Sequence, residues 1–320
     1  MARALSEAGY RVRALVRESA STNGRRNVEL ERSSRLDDIE TVPGDLLRAG
    51  DLARALDGCR YLIHCAALYS FAPRDRAQMQ RVNVAGTASL LDAAHTAGVE
   101  RAVVTSSSAT VGPARDGRPA READRAEDGH HSAYHHSKIL QERAALAARV
   151  PTVVLLPTTP IGPGDRRPTP TGRLVLDFAR GRVFARPPGA GGLNLVAVED
   201  VAHAHVLALT RGAPRERYLI GGENLTFDQL WQALSEATGR PAPRWIIPYG
   251  LAVTLGYLDE MRCRVTAAAP AIPLEGLRMS QHLMHVESGK AIAELGYRQS
   301  PARDALARAV AWYRGRGDVS

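Results

Sequence analysis

The chain carries two residues, Tyr134 and Lys138, whose types and spacing suit proton transfer. Residues four positions apart stand on one face of a helix, so their side chains can act together. A phenol with a pKa near ~10 exchanges protons poorly at neutral pH, and a neighbouring ammonium lowers that pKa by favouring the phenolate. The spacing indicates a tyrosine that exchanges a proton with a substrate, although a surface helix can show the same spacing by chance.

The composition draws attention to the lysine of this pair. Of the 42 basic residues, 40 are arginines, and only Lys138 and Lys290 are lysines. A lysine carries a compact ammonium, whereas an arginine carries a planar guanidinium. The lysine beside Tyr134 therefore indicates that a compact positive charge is needed there.

Hydroxyl side chains follow two of the apolar runs that we interpret as strands. Ser107 and Ser108 follow one run, and Thr158 and Thr159 follow another after Pro157. Open parallel sheets bind their ligands beyond the carboxyl ends of the strands. We therefore expect these hydroxyls to share one active site with the tyrosine and the lysine.

The elements that must position these residues follow from the apolar pattern. Helical stretches rich in Ala and Leu separate short apolar runs at 11–16, 61–64, 102–105 and 152–156. This alternation predicts an α/β fold with a Rossmann-type, doubly wound parallel sheet. We expect a dinucleotide-binding domain over 1–159 and a smaller mixed substrate lobe over 160–320, with about 193–222 returning to the first sheet.

Charge and composition narrow the class of protein. The net charge is +8, but the arginines are mixed with acids and aromatic residues make up only 5% of the chain. We therefore expect no nucleic-acid partner. The sequence shows neither a signal peptide nor an apolar run of membrane length, and its three cysteines form no metal spacing. These features predict a cytoplasmic protein without disulfides or a membrane span.

Two further sets of residues are expected to be structural. The histidines His130, His131, His135 and His136 lack a supporting carboxylate or cysteine pattern, so no metal site is predicted. Large apolar residues of the second lobe are expected to pack in its core or to line an apolar pocket. They are Trp245, Tyr249, Met261, Met279 and Met284.

A series of motifs in a fixed order resembles the extended short-chain dehydrogenase/reductase family, which includes the NAD-dependent epimerases and dehydratases. The resemblance covers nearly the whole chain. Its motifs are Gly44-Asp-Leu46, His64-Cys-Ala-Ala67, Asn83-Val-Ala-Gly-Thr87, Thr105-Ser-Ser107, Tyr134-His-His-Ser-Lys138 and the turn at Pro157. The segments 159–165, 168–173, 193–196 and 218–226 are similar to hopanoid-associated sugar epimerases, which are relatives of dihydroflavonol 4-reductase.

The resemblance implies three catalytic roles. Tyr134 would be the general acid or base, and Lys138 would lower its pKa and hold the nicotinamide ribose. Ser107 would orient the substrate oxygen if the motif is aligned on Gly112, whereas alignment on Val111 would select Ser108. We favour Ser107.

The resemblance also implies a cofactor site, with NADP favoured and NAD as the alternative. Arg17 follows the second strand of the family's fold, where a basic residue accommodates the 2′-phosphate of NADP. The other expected cofactor contacts are Asp45 and Leu46 at the adenine, Ala66 and Ala67 at the backbone approach, Asn83 at a helix start, Lys138, and Pro157, Thr158 and Thr159 near the carboxamide.

The chain departs from the family at its start. Residues 1–12 correspond to the helix and turn that lead into the family's second strand, so the first strand and its glycine-rich pyrophosphate turn are missing. Two explanations stay open: a start codon placed too late, or a shortened chain that has lost catalysis. We favour the first, because the set of Tyr134, Lys138 and Ser107 is intact.

The sequence therefore predicts an NAD(P)-dependent oxidoreductase or epimerase that transfers hydride at a hydroxyl or carbonyl carbon of a sugar-like or polycyclic small molecule. The alternative is a non-catalytic Rossmann-like binding or regulatory protein. Arg173 and Asn194 are the further candidate substrate contacts, beside Ser108. Since the family often dimerises through the helices carrying Asn83 and Tyr134, a homodimer is an option.

Overall fold

The computed structural model describes most of the chain. The described residues are 1–17, 39–70, 73–112, 114, 116–126, 132–166, 168–186, 191–266, 274, 277 and 280–319. His130, His131 and Met279 lie outside them. Among the described residues, no helix combines the length and the apolar character needed to cross a membrane.

A parallel sheet of four strands forms the centre of the first half. Its strands, in spatial order, are β3 (Tyr61–His64), β4 (Arg101–Thr105), β5 (Thr152–Pro157) and β9 (Arg217–Ile220). Side chains of β5 alternate between two apolar layers, because Val154 and Leu156 pack on one face and Val153 and Leu155 on the other. Burial on both faces explains why this strand is a continuous apolar run.

Helices cover both faces of the sheet and form the second lobe. They are α1 (Ala2–Glu7), α2 (Ala49–Leu56), α3 (Arg76–Met79), α4 (Gly86–Thr96), α5 (Ala133–Leu146), α6 (Pro170–Ala179), α7 (Val198–Arg211), α8 (Phe227–Thr238), α9 (Tyr249–Thr266) and α10 (Ala302–Gly315). A π-helical turn, Gln80–Ala85, joins α3 to α4. The predicted doubly wound α/β fold is confirmed.

The first two strands form a sheet of their own. β1 (Val12–Val16) pairs in parallel with β2 (Ile39–Pro43), and no pairing joins β1 to β3 among the described strands. Strands β1 and β3 nevertheless share an apolar layer, because Leu15 of β1 packs in the same cluster as Leu62 of β3. Among the described strands, the parallel strands therefore form two sheets, β1–β2 and β3–β4–β5–β9.

The second lobe is built around another sheet. β8 (Gly192–Ala197) pairs with β6 (Thr159–Ile161), β10 (Glu223–Thr226) and β12 (Leu283–Met284). Two short strands, β7 (Ala185–Arg186) and β11 (Trp245–Ile246), pair separately. The lobe's core lies between β8 and the helices α6, α8 and α10, with Leu176, Trp231, Leu234, Leu306 and Tyr313 in one cluster.

The expected return of 193–222 to the first sheet is correct only in part. Strand β9 pairs with β5, and α7 contributes Ala204 and Ala208 to the layer on that sheet. Strand β8, in contrast, belongs to the second sheet. The apolar run of β8 gave no indication of its partners, because a strand buried in either sheet has the same pattern.

The expected packing of three large apolar residues is wrong. Trp245, Tyr249 and Met261 are exposed on the second lobe. They lie on β11 and α9. Among the residues of these two elements whose burial is described, the buried ones are the small Ala252 and Gly256.

Candidate functional site

Helix α5 presents the predicted tyrosine near its first turn. The helix begins after Ser132, whose hydroxyl accepts a hydrogen bond from the amide of His135 at 3.3 Å. Tyr134 is half-buried, and its ring packs edge-on against Tyr69, with ring centroids 4.4 Å apart. Tyr69 follows strand β3, so the tyrosine stands beside the carboxyl edge of the sheet.

Lys138 is buried one turn further along the same helix, with 2% of its surface exposed. Its Nζ donates hydrogen bonds to the Thr105 carbonyl at 2.9 Å and to Gln141 Oε1 at 2.6 Å. Burial lowers the pKa of Lys138 to about 8, and the charge of Glu142 opposes this shift. The lysine therefore attaches α5 to the end of β4, and burial makes its ammonium lose the proton at a lower pH than an exposed lysine does.

Ser107 and Ser108 form the turn that follows β4. Ser107 is extended and precedes a 3₁₀ turn, Ser108–Thr110, and its hydroxyl accepts the Ala109 amide at 3.2 Å. Both serines are half-buried. A hydroxyl that accepts an N–H keeps its own proton to donate, so this cap is compatible with the predicted contact to a substrate oxygen.

A buried ion pair lies beneath the serine turn and was missed from the sequence. Glu142 and Arg217 are in contact at 2.6 Å, and their side chains are 4% and 7% exposed. Glu142 Oε2 also accepts hydrogen bonds from Ser106 at 3.2 Å and from Thr110 at 2.7 Å. The carboxylate thus ties α5, the serine turn and β9 together, and its position four residues after Lys138 was the available signal.

Asn83 is a buried positioning residue. It is fully buried in the π-helical turn, where its amide exchanges two hydrogen bonds with the backbone of Leu68 and donates to Ser137 at 3.0 Å. Ser137 in turn donates to the Tyr134 carbonyl. The amide surface of Asn83 is covered and its groups have protein partners, so its predicted cofactor contact stays a prediction.

The predicted adenine-side residues lie on the β1–β2 sheet. Arg17 is exposed at the end of β1. Asp45 is half-buried after β2, and its carboxylate accepts the Leu47 amide at 2.9 Å. Leu46 packs on Gly86, where an added Cβ would lie 2.9 Å from Leu46 Cδ2. This glycine allows the end of β2 to approach α4.

Two residues after β3 leave its carboxyl end open. Ala66 and Ala67 are both exposed and carry no side chain beyond Cβ. The backbone here is accessible from solvent, and the predicted cofactor contact at these two residues stays a prediction. Pro157 is buried at the end of β5, and Thr158 and Thr159 are half-buried after it.

The two further candidates for substrate contacts, Asn194 and Arg173, are both bonded to other residues of the protein. Asn194 is 1% exposed, and its amide bonds Thr158, Gly222 and Asn224. Arg173 lies on the surface of α6, where it pairs with Asp177 at 3.0 Å. Asn194 therefore cross-links the strand ends, and Arg173 forms an intrahelical pair that the i, i+4 spacing could have indicated.

Two buried histidines near the site were also missed. His205 Nδ1 lies 2.8 Å from the Val201 carbonyl, and Nε2 lies 2.7 Å from the Thr105 hydroxyl. His64 Nε2 lies 2.8 Å from the Thr87 hydroxyl. Burial lowers the pKa of each histidine to about 4, so both are neutral at pH 7.

The residues at the carboxyl edge of the sheet have the chemistry that a nicotinamide dinucleotide needs. A buried ammonium, a tyrosine and a serine turn lie at one strand edge, and the open backbone at Ala66 and Ala67 lies on the neighbouring strand. These residues fit the nicotinamide half. Among the described residues, no group of three or more His, Cys, Asp or Glu side chains is placed to hold a metal.

Two proteins of named function classes are similar to this chain over its full length. A protein of Synechocystis sp. that is provisionally named a dihydroflavonol 4-reductase is 39% identical over 333 residues, which cover 100% of this chain and 92% of that protein. The sterol demethylase protein B of Methylococcus capsulatus is 33% identical over 324 residues, covering 100% and 95%.

Solved structures are similar over the same length. The crystal structure of gox2253 has a TM-score of 0.83 at 37% identity. The match covers 100% of this chain and 95% of the gox2253 chain. A dTDP-glucose 4,6-dehydratase of Streptomyces venezuelae with NAD bound has a TM-score of 0.75 at 25% identity, covering 99% and 94%. The sequence model of the NAD dependent epimerase/dehydratase family matches residues 1–221 of the 320. The chain therefore belongs to the NAD dependent epimerase/dehydratase family, within the extended short-chain dehydrogenases/reductases, and is an enzyme of that class.

Proposed function

We propose that this enzyme transfers hydride between a nicotinamide cofactor and a hydroxyl or carbonyl carbon of a polycyclic small molecule. The observation that carries the proposal is the hydrogen bond from Lys138 Nζ to the Thr105 carbonyl. This bond attaches the helix face that carries Tyr134 to the end of β4, two residues before Ser107.

Each side chain of the set has a role that its chemistry supports. The nicotinamide, when bound, supplies or accepts the hydride. Tyr134 exchanges a proton with the substrate oxygen at its Oη, and the Lys138 ammonium favours the phenolate. Ser107, whose hydroxyl oxygen accepts the Ala109 amide, donates its hydroxyl proton to the same substrate oxygen. In the alternative register, Ser108 makes this contact.

The ionisation of Lys138 predicts an alkaline limit to the reaction. With a pKa of about 8, Lys138 is mostly charged at pH 7 and loses its proton as the pH rises through that value. The phenolate of Tyr134 then loses its neighbouring positive charge. We expect the turnover number to fall above pH 8, which a pH profile with saturating cofactor would measure.

The polycyclic class is favoured over a nucleotide sugar by the degree of similarity. The relatives that cover the full chain at 39% and 33% identity carry names from flavonoid and sterol chemistry. The nucleotide-sugar enzymes among the structural neighbours are 25% identical or less. A sugar-like substrate is the second candidate, because the fold and family model are shared with those enzymes.

The cofactor that we propose is NADP, with NAD as the alternative. The family is NAD-dependent as a class. Arg17 lies exposed at the end of β1, where a positive charge can meet the 2′-phosphate of NADP. Strand β1, Val12–Val16, carries no acidic residue that could bind the ribose hydroxyls of NAD.

The decisive test is the Tyr134→Phe variant. The wild-type chain would be assayed with NAD(H) and NADP(H) on a dihydroflavonol, a sterol 4-carboxylate and UDP-glucose. We expect Tyr134→Phe to reduce turnover by roughly 10²–10⁴-fold, while cofactor fluorescence shows unchanged binding. Unchanged turnover would contradict the mechanism. If neither this chain nor a form extended in frame upstream of Met1 binds either cofactor, the non-catalytic alternative is favoured.

A pair of serine variants separates the two motif registers. Ser107→Ala and Ser108→Ala would be compared on the substrate that the wild type accepts. We expect Ser107→Ala to reduce the turnover number, with a smaller change for Ser108→Ala. The reverse order would assign the contact to Ser108.

A further inference from the structure

The second lobe carries a wide apolar surface that faces solvent. We use the term apolar face for the exposed side chains of Phe184, Trp245, Leu251, Leu258 and Met261, which lie beside β7, on its partner strand β11 and along the helix α9 that follows β11. Trp245 is 78% exposed and Phe184 is 76% exposed. Single exposed apolar residues are ordinary, but large ones grouped on adjoining elements mark an interaction surface.

Helix α9 buries small residues and exposes large apolar ones, which is the reverse of the usual pattern of a surface helix. Its buried positions, Ala252 and Gly256, are small and lie four residues apart. Its leucines at 251, 255 and 258 share another face and are exposed. A surface helix normally buries its large apolar side chains, so the outward leucines indicate an apolar medium or partner on this side.

The charge around the apolar face indicates the kind of partner. Segments 180–186 and 240–264, which carry this face, contain seven arginines and two acids. Arg182 and Arg244 are exposed beside Phe184 and Trp245 in the sequence. Three of the seven arginines are in ion pairs, Arg180 with Asp318, Arg186 with Asp228 and Arg262 with Asp259. The excess of positive charge remains after these pairs are counted.

We propose that the apolar face docks on the surface of an anionic lipid bilayer. Leucine, phenylalanine and tryptophan side chains enter the boundary between headgroups and acyl chains, while arginines contact lipid phosphates. A second copy of this chain is a poorer occupant, because a symmetric contact would bring the same arginine-rich segments together.

Docking would bring the enzyme to the phase in which apolar polycyclic molecules dissolve. The docking proposal does not depend on the proposed function, because vesicle binding is measured without turnover. Loss of one can therefore be distinguished from loss of the other.

Vesicle binding of the whole chain tests the proposal. Vesicles of phosphatidylcholine alone would be compared with vesicles that also contain phosphatidylglycerol, by co-sedimentation and by tryptophan emission. We expect binding to the mixed vesicles, weakened by salt, with a blue shift that Trp245→Phe removes. The double variant Phe184→Ser/Trp245→Ser should weaken binding on the order of tenfold or more.

The matched control is Ile292→Ser, which removes another exposed apolar side chain away from this face. It should bind vesicles as the wild type does, and both serine variants should keep the wild-type circular dichroism spectrum. Binding that is equal for the wild type and the double variant, or absent in the wild type, would overturn the proposal. A wild type that sediments as a dimer without binding vesicles, and a double variant that sediments as a monomer, would assign the face to a second copy instead.

Discussion

Strands β1 and β4 have similar sequences but different surroundings. Val12–Val16 reads VRALV and has no fully buried residue, whereas Arg101–Thr105 reads RAVVT and buries its three central residues completely. Among the described strands, β4 pairs on both sides, while β1 pairs with β2 alone. The difference shows that neighbouring strands, rather than a strand's own residues, decide how deeply it is buried.

Polar groups differ between the two regions in the same way. Around β4, the carboxylate of Glu142 and the guanidinium of Arg217 are almost completely buried. On the β1–β2 sheet, Arg13 pairs with Glu40 at 2.8 Å, but the glutamate is 58% exposed. Removal of charge should therefore affect the first region far more than the second.

The largest stability effect is expected for Glu142→Gln. Removing one partner of a buried ion pair leaves the other charge uncompensated, so the free energy of unfolding should fall by roughly 3–5 kcal/mol. Urea unfolding of Glu142→Gln, Arg217→Met and the double variant would measure the loss and the coupling. The alkaline limit of activity should also move to lower pH, because Glu142 opposes the lowering of the Lys138 pKa. A change as small as that of a surface variant would remove the contrast between the two regions.

Acid should destabilise the same region through its histidines. The pKa of His64 and of His205 is about 4 in the folded state, below the usual 6.5. Between pH 6.5 and 4 the unfolded state binds more protons than the folded state. The free energy of unfolding therefore falls as the pH is lowered through this range, by about 3 kcal/mol for each histidine. Urea unfolding across this range should show the loss, and His205→Gln should remove about half of it.

On the β1–β2 sheet, Arg17→Asp should alter cofactor choice rather than stability. The negative charge would repel a 2′-phosphate, so we expect NADPH affinity to fall by about tenfold or more, with little change for NADH. Fluorescence titration with both cofactors measures this preference. Equal NADPH affinity in the variant and the wild type would leave NAD as the cofactor of choice.

The smallest effect is expected for Glu40→Gln. The pair with Arg13 is open to solvent, so its loss should leave the urea midpoint nearly unchanged. A loss as large as that of Glu142→Gln would mean that β1 and β2 are as tightly enclosed as the central strands.

Part of the candidate site could be predicted from the sequence. The spacing of Tyr134 and Lys138 and the hydroxyls after two strands rest on local periodicity and on the position of strand ends. The supporting residues could not, because Glu142 meets Arg217 across 75 positions and His205 meets Thr105 across 100. Nor could the sequence indicate that the amides of Asn83 and Asn194, both predicted to contact a ligand, are buried and bonded within the protein.

The sequence by itself determined the type and order of the elements and the family. Apolar runs and helical spacing are local properties, and the ordered motifs extend over nearly the whole chain. Only the tertiary structure decided that β8 joins the second sheet, that β1 stands apart from β3 and that the apolar residues of α9 face outward. The physical reason is that strand partners and helix faces depend on contacts between residues far apart in the chain, and several arrangements share one local pattern.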